Sequence, residues 1–257
     1  MAAGSVNRPP LTGEPRGTGG RAPALALLMM TYCFVAVVGI LVWTSRGPSL
    51  SSAYTPSARA MVLVVVVVIC VAWPLLRLSQ SRPRRPLEAT AGDMAAMLLA
   101  IHSLVWPLTL LARWPVMSVL WIALYLTAWT AFIAGVLALS FALAPNHRSR
   151  FTGANRRSAL WMLLCLTFVT AGPLSMWFAA AAGARPPSWL ELASPLTALH
   201  ALTGTAWNGP TGRIQTGLNR ATSLTLFAGA ALWIIAATVD RRRRSPPIGD
   251  STDDRLH

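Results

Sequence analysis

Six long apolar segments are the feature that most constrains how this 257-residue chain can fold. Each segment is about as long as an α-helix must be to cross roughly 30 Å of hydrocarbon at about 1.5 Å per residue. Helices are expected because a bilayer offers no water to unpaired backbone groups. The segments cover residues 23–43, 60–76, 94–112, 117–143, 159–182 and 221–239. The sequence therefore predicts an all-α, polytopic membrane helix bundle with six transmembrane helices.

Arginine is concentrated in alternate gaps between these segments, and the chain contains no lysine. Most of the 22 arginines precede the first segment or follow the second, fourth and sixth. Six lie in the other gaps: Arg46, Arg59, Arg113, Arg185, Arg213 and Arg220. Because cytoplasmic loops carry the excess of positive charge, connections 79–92 and 145–158 and both termini are expected in the cytoplasm.

The composition divides the chain into a membrane domain and two tails. Residues 1–22 are rich in Gly, Pro and Arg, which is typical of a disordered tail. Residues 23–239 form the predicted six-helix domain, and 240–257 form a basic and then acidic cytoplasmic tail. The absence of lysine, with abundant Ala, Arg, Pro and Gly, is typical of a high-GC genome. We therefore expect a multi-pass protein of a bacterial plasma membrane.

The formal net charge of +14 raises the question of a nucleic-acid partner. Every arginine lies in a gap or tail and none lies within an apolar segment. The charge is thus explained by orientation in the membrane and by attraction to anionic headgroups. The lipid bilayer is the predicted partner, and nucleic acid is not.

Three of the predicted spans contain a proline: Pro74, Pro107 and Pro173. Each proline leaves the carbonyl four residues earlier without its helical donor, namely those of Cys70, Ser103 and Val169. Such carbonyls are costly against lipid. We therefore expect spans two, three and five to pack against one another.

The fifth connection, 183–220, is the only long loop on the outer side. Ser188 and Glu191 fit a capping box, and leucines 192, 196 and 199 follow at helical spacing. Ser194 and Pro195 offer an alternative helix start. The pattern predicts short helix within 188–203, at the outer membrane surface, with these leucines directed to the bilayer or the bundle.

The sequence shows no set of residues that could carry catalysis, hold a metal or bind a cofactor. No Asp, Glu or Arg lies in the core of a span, and a phosphate loop and a dinucleotide fingerprint are both lacking. We therefore expect a protein that is not an enzyme and has no cofactor. The candidates for a functional role are His102 within span three and Glu191 and His200 in the outer loop.

His102 is the only histidine deep within a predicted span, with Trp106 one turn away on the same face. It is interpreted first as a neutral histidine that hydrogen-bonds within the bundle and faces protein. The alternatives are a ligand contact, a proton relay or an axial haem ligand. Haem would need a second ligand at similar depth, which no other span supplies.

The arrangement resembles the permease subunit of an ABC-type exporter. The resemblance rests on six spans with both ends inside, polar cytoplasmic connections after spans two and four, and a long fifth connection. Residues 192–199 (Leu-Ala-Ser-Pro-Leu-Thr-Ala-Leu) are similar to the Ser/Asn-Pro-hydrophobic stretch before the last span of that family. The resemblance implies a separate ATPase subunit and a second permease copy as partners.

The chain also departs from that family. Its N-terminal tail lacks an amphipathic interface helix, and its second cytoplasmic loop lacks the acidic, Gly-Thr-containing segment that engages the ATPase. Two other hypotheses stay open: a non-catalytic membrane protein of assembly or scaffolding, and a membrane enzyme.

Overall fold

The computed structural model describes residues 50–80, 83, 85–144, 151–184, 194–204 and 212–244, and all its regular elements there are helical. A five-residue π-helical turn, Val68–Ala72, joins α1 to α2. The α-helices are α1 (Leu50–Val67), α2 (Trp73–Ser79), α3 (Pro86–Val105), α4 (Leu108–Leu111), α5 (Val116–Leu143), α6 (Phe151–Ala181), α7 (Pro195–Gly204) and α8 (Gly212–Arg244).

Five stretches of helix in the described residues are long and apolar enough to cross a membrane. They are Thr55–Ser79, Pro86–Leu111, Val116–Leu143, Ala159–Ala181 and Thr216–Arg243. These correspond to predicted spans two to six. The all-helical class is confirmed for the described residues, and the length and apolar character of the five helices are compatible with an integral membrane protein. The first predicted span, 23–43, lies outside the described residues, as do the tail 1–22 and most of the tail 240–257. The count of six stays a prediction.

Helix α5 is the centre of the bundle, since 72% of its most apolar stretch is buried against 17% in α6 and in α8. Helices α8 and α3 both pack along α5. Both contacts follow from the sequence. A short turn through Trp114 and Pro115 forces α3–α4 and α5 to run antiparallel as neighbours. Glycines on α5 and α8 let those two helices approach closely.

The two ends of the bundle are marked by different polar contacts. At one end Arg77, in the last turn of α2, forms a partly buried ion pair with Asp93 of α3. At the same end Arg243 of α8 donates hydrogen bonds to the last carbonyls of α5, those of Leu143 and Ala144. A cation suits this position because the carbonyl end of a helix is electronegative. The opposite end carries the Trp114–Pro115 turn.

Two predicted boundaries are wrong. The third helix begins at Pro86, within the predicted connection 79–92, because proline suits the first helical position and Glu88 follows in the first turn. The polar linker 79–92 is therefore much shorter than predicted. Likewise 151–158, assigned to a loop, belongs to α6; polar side chains are compatible with a helix that extends beyond its apolar stretch.

The expected packing of the three proline-containing spans is right for two of them. The π-helical turn and α2, which belong to span two, pack on α6, which contains span five. Span three instead packs chiefly on α5. It meets span two near its two ends, through the Arg77–Asp93 ion pair and through contacts of α4 with α1. The tight hairpin decides this, because it holds span three beside span four.

Candidate functional site

The loop between α6 and α8 sends a short helix into the bundle, and this helix is the best candidate for a functional element. Helix α7 packs against α1, α5 and α6. Its Leu199 and Leu202 are fully buried and belong to the main apolar core. The described part of the helix expected within 188–203 is Pro195–Gly204, which begins at the alternative start, Ser194 and Pro195, and is packed into the bundle. The start expected at Ser188 lies outside the described residues and stays a prediction.

The start of α7 is fixed at the proline break of α6. Pro173 cannot donate to the carbonyl of Val169, which is buried. The hydroxyl of Ser194 donates to that carbonyl at 2.8 Å, and Ser194 is itself fully buried. The donor that the sequence required for Val169 thus comes from a residue 25 positions further along the chain.

Gly172 provides the space for this contact. A Cβ at position 172 would overlap Ser194 Cβ and would lie 2.6 Å from Thr197 Oγ1. Any side chain there would therefore push the start of α7 away from α6. Gly204, at the other end of α7, has open space where a Cβ would be.

The end of α7 is fixed by an arginine of another span. Arg59 of α1 donates from Nε to the carbonyl of Thr203 at 3.0 Å and from its terminal nitrogen to that of Gly204 at 3.2 Å. These are carbonyls that a helix end leaves without an internal donor, and the guanidinium also complements the helix dipole. Helix α7 is thus held at its two ends by polar bonds to two different spans.

The helix of span two is irregular before its proline. The π-helical turn Val68–Ala72 ends two residues before Pro74, and the amide of Trp73 bonds to the carbonyl of Val68, five residues earlier. This turn packs on α6. Single π-helical turns of this kind are frequent at functional sites. The proline pattern predicted a break in span two but not its π-helical form.

An aromatic cluster adjoins the Val169 contact. The ring of Trp129 in α5 lies edge-on to Phe168 of α6, with centroids 6.3 Å apart, and Phe132 lies 5.3 Å from Phe168. Tyr125, one turn earlier in α5, lies edge-on to Trp129 with ring centroids 6.4 Å apart and extends the cluster.

His102 faces protein, as predicted, but through partners that the sequence did not single out. Trp106 Nε1 donates to His102 Nδ1 at 3.2 Å. Nε2 lies 3.3 Å from the hydroxyl of Thr127 in α5, and that hydroxyl donates to the carbonyl of Ala123 at 2.8 Å. Because an indole is only a donor and the Thr127 proton is already used, the ring must carry its proton on Nε2.

Both nitrogens of His102 are therefore occupied in the neutral form of the ring. A ring nitrogen whose lone pair accepts the hydrogen bond from the indole cannot bind a metal with the same lone pair. No group of three or more His, Cys, Asp or Glu residues that could hold a metal ion occurs in the described part of the chain.

Of the two remaining candidates, His200 lies on the exposed side of α7, away from the buried leucines. Glu191 lies outside the described residues, so its functional role stays a prediction. Sequence reasoning missed Ser194 as a donor to Val169, and it missed Gly172, Arg59 and Thr127. The one local signal was the small residue directly before Pro173.

Comparison with known proteins gave no match: no protein-family model, no curated protein and no solved structure matches this chain.

Proposed function

We propose that the chain is a multi-pass protein of a bacterial plasma membrane and acts as the permease subunit of an ATP-driven exporter, with α7 as part of its outer gate. The observation that carries this proposal is the burial of α7 against the Pro173 break of α6. The ATPase partner and a second permease copy follow from the resemblance in span order and loop lengths.

Helix α7 has the length and depth of a half-membrane helix. Val169 lies about 15 Å along the helix from Ala159 and about 18 Å from Ala181, near the middle of that apolar stretch. Ten residues of helix cover about 15 Å, half of the hydrocarbon thickness. The end of α7 meets Arg59, near the start of the Thr55–Ser79 stretch. The arginine asymmetry places that end on the outer side.

Half-helices beside broken spans are a common way to build a transport site at the membrane midplane. Irregular backbone at that depth is tolerated where it is buried in protein or lines a watery cavity. Here the π-helical turn, the Pro173 break and the start of α7 lie in spans and segments that contact one another.

The bonds that hold α7 suit a gate because they can be exchanged. Ser194 and Arg59 both donate to backbone carbonyls, and each such bond contributes about 1 kcal/mol net, or somewhat more for the charged donor. A substrate or water can replace a hydrogen-bond partner. Between α5 and α8, bonds of this kind occur where Arg243 meets the end of α5, but the glycine contacts along the two helices join backbone and apolar atoms and offer no such exchange.

The test combines purification with a reversible lock. The protein is purified from its native membrane in mild detergent, reconstituted, and assayed for ATP hydrolysis by any subunit that accompanies it. Gly172→Cys with Thr197→Cys provides the lock. The Cβ at 172 must push the start of α7 back slightly, and the disulfide, which needs Cβ atoms roughly 4 Å apart, then ties α7 to α6. Each single variant serves as the control for oxidation.

We expect an ATPase subunit to accompany the protein in fixed stoichiometry. We also expect oxidation of the double variant to reduce ATP turnover severalfold and reduction to restore it. Purification without any ATPase, or turnover unaffected by a complete lock, would contradict the permease proposal.

The second candidate is a non-catalytic membrane protein of assembly or scaffolding. It is favoured because the chain itself supplies hydrogen-bond partners to His102, to the Val169 carbonyl and to the end of α7. A polar interior satisfied in this way is expected of a rigid framework. Under this candidate α7 is a fixed brace, and locking it should leave function intact.

A further inference from the structure

The side of α7 that faces away from the bundle carries His200 and, one turn later, Gly204. Both residues are exposed, and the space beside Gly204 is open. The opposite side of the same helix is buried through Leu199 and Leu202. Helix α7 thus has one face in the protein core and one face that is free.

The free face lies at a depth where a polar side chain is costly in lipid. His200 is six residues beyond Ser194, which places it about 9 Å further along the helix towards the Arg59 end. Ser194 is held at the middle of the α6 apolar stretch, so His200 lies inside the roughly 15 Å half-thickness of the hydrocarbon. Among the described residues the imidazole of His200 has no hydrogen-bond partner.

Ionisable side chains at such depths face the bundle interior or a water-filled cavity. The bundle side of α7 is taken by the leucines, and an imidazole against acyl chains would lose its hydrogen bonds to water. We infer that the free face of α7 lines a water-filled vestibule, open to the outer side, in which His200 presents its imidazole to a polar group of the substrate. This inference rests on the proposed function for its purpose, but its test is independent of transport.

The test measures the access of water to single cysteines in intact membranes. The probe is a charged thiol reagent that cannot cross a membrane, added from the outer side. His200→Cys reports on the free face and Leu199→Cys on the buried face of the same helix. Leu174→Cys reports on the lipid, because Leu174 is 52% exposed and lies five residues beyond Val169, close to the depth of His200. The unsubstituted protein measures labelling of the native cysteines.

We expect His200→Cys to react at least about tenfold faster than Leu174→Cys and Leu199→Cys, because the reactive thiolate forms only where water reaches. Equal, slow labelling of all three positions would overturn the inference, since the free face would then meet lipid or protein. Equal, fast labelling of His200→Cys and Leu174→Cys would also overturn it, because neither position would then lie in hydrocarbon.

The outcomes separate this inference from the proposed function. Fast labelling of His200→Cys in a protein without an ATPase partner would leave the vestibule established and the permease proposal wrong. Slow labelling in a protein that carries an active ATPase would leave the permease proposal standing and place its pathway elsewhere.

Discussion

Glycine allows close approach in two helix contacts of this molecule, and the two contacts differ in what the glycine faces. Between α5 and α8, a Cβ at Gly135 would lie 2.9 Å from Leu232 Cβ, and a Cβ at Gly229 would lie 3.1 Å from the backbone of Phe132. Between α6 and α7, Gly172 faces Ser194 and Thr197. The first contact joins backbone and apolar atoms along two long helices, and the second joins polar side chains at one end of a short helix.

The difference separates a permanent contact from one that can open. Close apolar packing in a membrane has no replacement partner, because lipid fits a notched helix surface less well than a matching helix does. A hydroxyl-to-carbonyl bond can be exchanged for a bond to water or to a substrate. We therefore assign the fixed frame of the bundle to α5 and α8, and its movable part to α7.

The largest effect is expected at the frame. Gly135→Ala should lower the free energy of unfolding by about 3 kcal/mol, because the new methyl group meets Leu232 Cβ and the Gly229 carbonyl, at 2.9 and 3.0 Å, and α8 cannot retreat along its whole length. Unfolding in mixed detergent micelles measures this value. Gly92→Ala, on an open side of α3, is the control and should raise stability by up to about 1 kcal/mol. Equal stability of the two variants would disprove the proposed frame.

At Gly172 we expect a smaller loss of global stability but a larger local displacement. Gly172→Ala should displace α7 while lowering the free energy of unfolding by only about 1–2 kcal/mol, because a short helix can shift as a unit. In the Gly172→Ala background, a cysteine at position 199 (Leu199→Cys) should react with a charged thiol reagent that does not label it when Gly172 is present. Gly204→Ala, on the same helix with open space around it, should leave Leu199→Cys silent. A silent Leu199→Cys in both backgrounds would mean that α7 does not move.

The bond between Ser194 and Val169 can be tested by a double-mutant cycle with Pro173. Ser194→Ala should cost about 1–2 kcal/mol, because it leaves a buried carbonyl without a donor. Pro173→Ala supplies an amide to the same carbonyl, so in that background Ser194→Ala should cost about 1 kcal/mol less. Additive effects of the two substitutions would show that Ser194 does not replace the donor that proline removes.

Much of the frame could be predicted from the sequence, because length and hydropathy along the chain determine which stretches become apolar helices. Spans two to six lie close to where the apolar segments predict them. The proline at 173 also identified Val169 as a carbonyl in need of a donor. Such features depend on residues within a few positions of one another.

The position of α7 could not be predicted, because it depends on contacts between distant residues. Leucines at positions 196 and 199 are equally compatible with a helix on the membrane surface and with one in the core. The position of α7 is determined by the space at Gly172, by the Val169 carbonyl that lacks a helical donor, and by the guanidinium of Arg59. The Thr127 partner of His102 escaped prediction for the same reason, since 25 residues separate the two.

The smallest effect is expected at His102, which belongs to the contact between α3 and the frame. Thr127→Val should lower the free energy of unfolding by only about 0.6 kcal/mol, the usual value for a hydrogen bond between membrane helices. Nitrogen NMR of the labelled imidazole should show a neutral ring with its proton on Nε2. A proton on Nδ1 would contradict the assigned network, in which Trp106 donates to that atom.

The position of α7 against the Pro173 break is the central claim, and disulfide formation in native membranes tests it most directly. Gly172→Cys with Thr197→Cys should cross-link nearly completely under mild oxidation. The Cβ at 172 must push α7 back by about 1 Å, and that shift still leaves the two Cβ atoms within the roughly 4 Å that a disulfide spans. Gly92→Cys with Thr197→Cys is the matched control and should not cross-link, since nothing lies within 4 Å of a Cβ at 92. Failure of the first pair to cross-link, or equal cross-linking of both pairs, would show that α7 does not occupy this place in the bundle.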